Sequence, residues 1–213
     1  MVRPRFVKLP PAQQQEILQA ALDEFAAHGF HAASLNRVIE AAGISKGSMY
    51  YYFDGKEDLY AYLTQTGLDQ LFVGLGPFPV PSGADVDDFW STLEDYYLRL
   101  MTALADSPQL AALVRGWVAA SDNPALQKAQ QDSELAVLPW MQQALAAGQR
   151  IGAIRSDLPA SLLIAVVVGM GQAMDIWLVT QSPARGELPP LIGNLIAMVR
   201  GAVQPQSPSN LAQ

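Results

Sequence analysis

Apolar residues recur at helical spacing along most of this chain, and the gaps between the apolar stripes carry helix start and stop residues. From 11 to 28, Ile17, Leu18, Ala21, Leu22 and Phe25 fall on one helix face. Leu35, Val38, Ile39 and Ala42 repeat the pattern over a shorter stretch. Gly43 ends that stretch, because glycine takes the left-handed backbone of a helix-stopping turn without steric cost. Ser45 follows as an N-cap, its hydroxyl available to an orphan amide N–H. From Lys46 to Phe53 the chain carries Lys, Ser and three consecutive tyrosines. Two short helices around a tight turn predict a helix-turn-helix whose second helix is built to touch a duplex.

Asp54, with Glu57 three residues later, predicts a capping box for a helix through Leu59, Leu63 and Leu68 toward Val73. Residues 74–83, GLGPFPVPSG, break the pattern and form the clearest linker. Beyond them, helices are predicted at about 85–105, 108–121, 124–150, 159–181 and 188–203. Their borders carry Ser, Asp or Asn close before proline, as at Ser107-Pro108 and Asn123-Pro124. No alternating run argues for a sheet, and residues 204–213 read as a disordered tail. The predicted fold class is all-α. An N-terminal helix-turn-helix three-helix domain (1–63, with a basic arm over 1–10) joins a larger helical domain (64–203).

Residues 11–63 resemble the DNA-binding domain of the TetR family of bacterial transcriptional regulators. The matching residues are Ile17, Ala20, Ala21 and Phe25, then Gly29-Phe30, then Ala41-Ala42-Gly43-Ile44-Ser45. Gly47, Tyr50, Tyr52-Phe53, Lys56 and Leu59 complete the set. The rest of the chain agrees only in length and all-helical character.

The resemblance implies that Lys46–Tyr52 enters a major groove. Lys46 and Gly47 would lie nearest the base edges, where a Lys suits guanine acceptors and a Gly lets the backbone approach. Ser48, Tyr51 and Tyr52 would bond phosphates and set register. Lys56 would meet a phosphate at the start of the next helix. Ser34, as cap of the motif's first helix, Asn36, Arg37, Ser45 and Tyr50 are further candidates. Arg3 and Arg5 would reach a minor groove if the arm orders on DNA.

The resemblance also implies a homodimer paired through the last two helices, 159–181 and 188–203. The first of these, with LLIAVVVGMGQAM, is apolar nearly all round and is expected to be buried on two sides. Gly169, Gly171 and Ala173 allow close approach there. The other helices would enclose a pocket drawn from Trp90, Tyr96, Tyr97, Trp117, Trp140, Met141, Met170, Met174 and Trp177. Aromatic and Met-lined cavities suit apolar or aromatic ligands. Asp175 is placed to meet a cationic ligand group and Arg115 a carboxylate. Each has an alternative reading as a salt-bridge or surface residue. The expected function is a ligand-responsive repressor that binds a palindromic operator as a dimer. A small effector would release it by shifting the population of DNA-competent dimers. Two alternatives stand beside it: a helical small-molecule-binding dimer with vestigial DNA binding, and an activator.

Charge complicates this picture. The net charge is −7, with six basic and seven acidic residues in 1–63 and the remaining excess of acid beyond it. DNA binding must therefore rest on sidedness and not on bulk charge. Cysteine is absent, so neither a disulfide framework nor a cysteine metal site is expected. The N-terminus has no apolar core of a signal peptide. The run from Leu162 to Met170 is short for a bilayer crossing, and Gln172 and Asp175 interrupt its continuation. A soluble cytoplasmic protein is expected. The only histidines, His28 and His31, lie in the first domain, and no Gly-rich phosphate loop is present, so neither an enzyme nor a cofactor is expected.

Overall fold

The computed structural model describes residues 4–80, 85–120 and 123–205. Arg3, residues 81–84 of the expected linker and residues 206–213 of the expected tail lie outside the described residues. No strand occurs among the described residues, and the fold is all-α. The helices are α1 (Pro4–Val7), α2 (Pro11–Ala32), α3 (Leu35–Ala41), α4 (Lys46–Tyr52), α5 (Lys56–Leu75), α6 (Val86–Ala105), α7 (Pro108–Ala119), α8 (Pro124–Arg150), α9 (Ala160–Gln181) and α10 (Leu188–Val203). Prolines stand at the first turn of α2, α7 and α10, where a missing N–H costs nothing. α2 continues past the expected end at 28, with its break carried by Gly29 at φ 68°.

Two expected caps differ. Ser34 occupies the N-cap position of α3, but its side chain makes no capping bond. Its backbone N–H donates instead to Glu24 Oε1 at 2.7 Å. At α5, the Asp54 backbone N–H donates to the Asp58 carboxylate at 3.1 Å, so the carboxylate reaching back is Asp58 and not Glu57. α5 begins at Lys56, one turn position later than a cap at Asp54 would require.

The chain divides into two compact units that interleave in sequence. The first takes residues 1–74 and 104–133, the second 75–103 and 134–213. The expected boundary at residue 63 falls within α5, and the division falls at the start of the Gly/Pro-rich segment. The first unit is built around Ile17, Ala21, Phe25, Val38, Met49, Phe53, Leu59 and Tyr60, with Leu113, Trp117 and Leu126 closing it. Tyr60 is 1% exposed, and its hydroxyl donates to the Leu113 carbonyl at 2.5 Å. In this way a residue of α5 satisfies a carbonyl of α7 in the middle of the core.

The second unit has one core around Phe89, Trp90, Leu145, Ile154, Leu163, Met174 and Val203. A smaller one surrounds Met101, Leu178, Leu188 and Ile192. Residues 75–80 pack within this unit. The Phe78 ring sits against those of Tyr96 and Trp140, and Trp140 Nε1 donates to the Pro79 carbonyl at 2.7 Å.

α9 corrects one expectation. It runs 22 residues and holds an 18-residue window of mean hydropathy 2.0, so by length and composition alone it is long and apolar enough to cross a membrane. The short run at 162–170 understated it. Leu163, Met174, Leu178 and Val179 are buried within the unit. A second stripe remains uncovered: Leu162 (47% exposed), Val166, Gly169, Ala173, Ile176 and Trp177 (48%). These positions recur every three or four residues, which is one helix face.

Candidate nucleic-acid interface and effector cavity

The geometry of α4 follows from its turn. Gly43 takes φ 63°, its N–H bonds to the Glu40 carbonyl, and Ile44 N–H bonds to the Ile39 carbonyl. This closes α3 and reverses the chain within three residues. Ser45 then caps α4, its Oγ accepting from Ser48 N–H at 2.9 Å and lying 2.8 Å from Ser48 Oγ. Met49 and Phe53 are fully buried and fix the inner face. The outer face holds Ser45, Lys46, Gly47, Tyr50 and Tyr51, all exposed. Tyr50 and Tyr51 keep 45% and 47% of their surface open, which is unusual for two adjacent aromatics unless something else covers them.

Pro4–Val7 of the arm form a short helix, α1. Phe6 has no exposed surface, and its ring meets those of Phe53 at 4.8 Å, Tyr62 at 5.6 Å and Tyr52 at 6.0 Å. It plugs the seam between α4 and α5. Gln14 Nε2 holds the exit, donating to the carbonyls of Val7 and Leu9. Arg5 is thereby set over the Tyr51 ring, its guanidinium carbon 4.1 Å from the centroid. Cation–π contact of this kind favours a desolvated, flat guanidinium.

The remaining DNA candidates separate. Asn36 is exposed on α3. Arg37 is committed elsewhere: its Nε lies 2.8 and 2.9 Å from the two oxygens of Glu24, and its other nitrogen bonds Glu24 and the Ala32 carbonyl. The Glu24 side chain is 8% exposed. Hydrogen bonding from Arg37 holds its carboxyl below the ordinary carboxylate range, against the opposing effect of burial. Lys56 Nζ donates to the His31 carbonyl at 3.0 Å and lies over the Phe30 ring, so it ties the turn after α2. Tyr52 is half-buried against the core.

The second unit holds an apolar cavity of about 90 Å³, lined by Phe89, Trp90, Leu93, Trp140, Met141, Ala144, Leu145, Ile154, Ile164, Val167, Val199 and Val203. A neighbouring cleft of about 480 Å³ between α8 and the start of α9 shares Leu145 and Ile164 with it. Of the predicted pocket residues, Trp90, Trp140 and Met141 line the cavity. Tyr97, Met170 and Met174 belong to the surrounding core. Arg115 and Trp117 lie in the first unit, where Trp117 stacks on Tyr60. Trp177 sits on the uncovered face of α9.

Asp175 accepts a 2.6 Å hydrogen bond from the Tyr97 hydroxyl. Packing around the Asp175 carboxyl pushes it above the ordinary range, offset in part by that bond. Burial and the nearby carboxylate push the Tyr97 hydroxyl up as well. Most of the wall is aliphatic. Those residues went unnoticed in the sequence because an aliphatic at core spacing looks the same whether it borders a void or a neighbour.

Residues 17–63 match the family described as "Bacterial regulatory proteins, tetR family". The chain is 34% identical over 104 residues to the HTH-type transcriptional regulator RutR of Escherichia coli, covering 48% of this chain and 46% of RutR. It is 39% identical over 56 residues to the HTH-type transcriptional repressor AcnR of Corynebacterium glutamicum, covering 26% of this chain and 30% of AcnR. With RutR the alignment spans about half the length of the relative. The fold resembles that of the transcriptional regulator FadR from Bacillus subtilis, solved in complex with stearoyl-CoA: TM-score 0.68, 19% identity, 89% of this chain and 99% of that one. Members of the family are DNA-binding regulators and not enzymes. Residues 17–63 thus match the DNA-binding region of the TetR family of bacterial transcriptional regulators, and the all-helical fold of the chain resembles that of solved regulators.

Proposed function

We propose that the chain is a ligand-responsive repressor that binds a palindromic operator as a homodimer. The observation that carries this reading is the outer face of α4. Lys46, Gly47, Tyr50 and Tyr51 stand exposed on a helix whose inner face is locked by Met49, Phe53 and Phe6. Lys46 has no ion-pair partner among the described residues, so its charge is available to a guanine edge or a phosphate. Arg5, held over Tyr51, adds a second cation beside it. These two cations at the exposed surface of α4 offset the near-neutral charge of the first 63 residues as far as the duplex is concerned. AcnR, similar over 56 residues, is named a repressor.

The uncovered stripe on α9 supports pairing with a second copy. A helix apolar on two opposite sides needs two partners, and the unit supplies one. Pairing would set two α4 helices at half-site spacing. The cavity in the second unit supports an apolar effector. An effector that prefers one arrangement of the dimer weakens operator binding by the factor by which operator weakens effector binding.

The testing experiment is binding to the DNA upstream of the chain's own gene, titrated across salt, beside a Lys46→Ala/Tyr51→Ala variant. Tight, salt-steep binding lost in the variant is expected, each lost phosphate contact reducing the slope by about one. Equal, weak binding of both proteins to operator and random DNA would instead promote a helical binding module with a vestigial DNA surface.

A further inference from the structure

The N-terminal arm is not a loose tether. Phe6 has no exposed surface and closes the seam between α4 and α5, and the Leu9 N–H donates back to the Phe6 carbonyl at 3.0 Å. Gln14 Nε2 fastens the chain beyond it through the Val7 and Leu9 carbonyls. Arg5 is the residue before the plug, and its guanidinium carbon lies 4.1 Å from the centroid of the Tyr51 ring. Tyr51 also meets the Tyr52 ring edge-on at 5.7 Å, and Tyr52 in turn meets Phe6 at 6.0 Å. Tyr51 is therefore held on two sides although 47% of its surface is open to solvent. Arg5 is exposed and has no ion pair among the described residues. Stacking covers one face of the guanidinium and leaves its in-plane N–H fork for an acceptor with two oxygens.

We propose that Arg5 and Tyr51 act as one unit that grips a single DNA phosphate on the backbone bordering the groove entered by α4, with Phe6 as the positioning residue. The inference rests on reading α4 as the DNA-contacting helix. The guanidinium supplies two parallel donors and the charge, and the hydroxyl of the ring beneath it supplies a third donor. A ring already held by Tyr52 and Arg5 loses little freedom on binding. On this seat Arg5 serves the backbone beside α4 and not a minor groove. Swinging it into another groove requires Phe6, its neighbour in sequence, to leave a seam in which it is fully buried. Because a phosphate carries no base identity, the grip adds affinity and register but no discrimination between sequences.

The test starts from a duplex that the full wild-type chain selects out of a random-sequence pool, and compares it with a scrambled duplex across salt. Arg5→Ala is expected to weaken binding to both duplexes by the same factor, about ten-fold, and to lower the salt slope by about one. A residue that only steadied Tyr51 would leave the slope unchanged, since a tyrosine hydroxyl displaces no counterion. Arg5→Lys is expected to restore the slope and only part of the affinity, because an ammonium lacks the flat fork. Combined with Tyr51→Leu, Arg5→Ala is expected to cost at least about two-fold less than the product of the two single losses. Wild-type binding by Arg5→Ala, single losses that multiply without coupling, or a loss confined to one duplex overturns the proposal and leaves α4 as a DNA-contacting helix. Failure to enrich any duplex, with no salt-steep binding to the pool, overturns the DNA-binding reading and this proposal with it.

Discussion

Arg37 and Glu24 are bound fork to fork across thirteen residues of sequence, with Arg37 Nε 2.8 and 2.9 Å from the two carboxylate oxygens. The pair joins α3 to the middle of α2 and spends on the fold a cation that the sequence offers to DNA. Arg37→Ala is therefore expected to destabilise the first unit, leaving a nearly buried carboxylate without its partner. The effect has a pH signature. Glu24 is held below its ordinary value of 4.5, so its contribution is complete above that value and is lost as pH falls through the lower folded value. Thermal melts of wild type and Arg37→Ala should differ most near pH 7 and converge as pH falls through the depressed folded value of Glu24. A gap that is constant across this range would refute the assignment.

Tyr60 and Gly116 form a second coupled pair. The Tyr60 hydroxyl reaches the Leu113 carbonyl, and a Cβ at position 116 would run into that hydroxyl. Tyr60→Phe should cost about 0.5–1.5 kcal/mol by removing a buried hydrogen bond to a carbonyl that keeps its helical partner. Gly116→Ala should cost about 1–3 kcal/mol by overpacking. Because the phenylalanine removes the clashing atom, the double variant should lose less than the sum by at least about 0.5 kcal/mol in urea unfolding. Strict additivity would mean that the two residues do not meet in solution.

Phe6 gives the arm a structural role. Phe6→Ala removes a fully buried ring from between Tyr52, Phe53 and Tyr62 and should cost about 3–5 kcal/mol if α1 stays docked. If α1 detaches instead, global stability falls less, but amide exchange over Lys46–Tyr52 quickens. Stability and α4 exchange both unchanged would show that the ring is not packed there.

The uncovered face of α9 is tested by Ile176→Glu. On a solvent-exposed face this change shifts stability by no more than about 0.5 kcal/mol. At a dimer interface it buries an unpaired charge, so sedimentation without detergent should show a dimer become a monomer, with operator affinity falling alongside. A wild type already monomeric would sink the prediction, and one that sediments only with detergent would point to a membrane.

Local rules made much of the fold legible. Helix-spaced apolar residues, the Gly43 stop and the Ser45 cap each act within about one turn of chain, so α3, α4 and the later helices lie within a residue or two of where periodicity sets them. The capping box at Asp54 came out differently because Asp58, one residue beyond Glu57, reaches the Asp54 backbone N–H; at Ser34 the side chain makes no capping bond and the backbone N–H is held by Glu24 from another helix.

By itself, then, the sequence determined an all-helical chain with a helix-turn-helix near its start, a resemblance of that part to one family, and one helix apolar nearly all round. Tertiary structure alone decided that residues 104–133 share a unit with the first 74, that Phe6 closes the seam behind α4, that Arg37 and Lys56 brace the fold, and that Trp90 but not Trp117 borders the cavity. The physical reason is distance along the chain. Helix formation reads neighbours three and four residues apart, whereas Tyr60 and Leu113 meet across 53 residues and Tyr97 and Asp175 across 78. Such partners are chosen by which side chains fill the same space once the helices pack, and no local pattern encodes that choice.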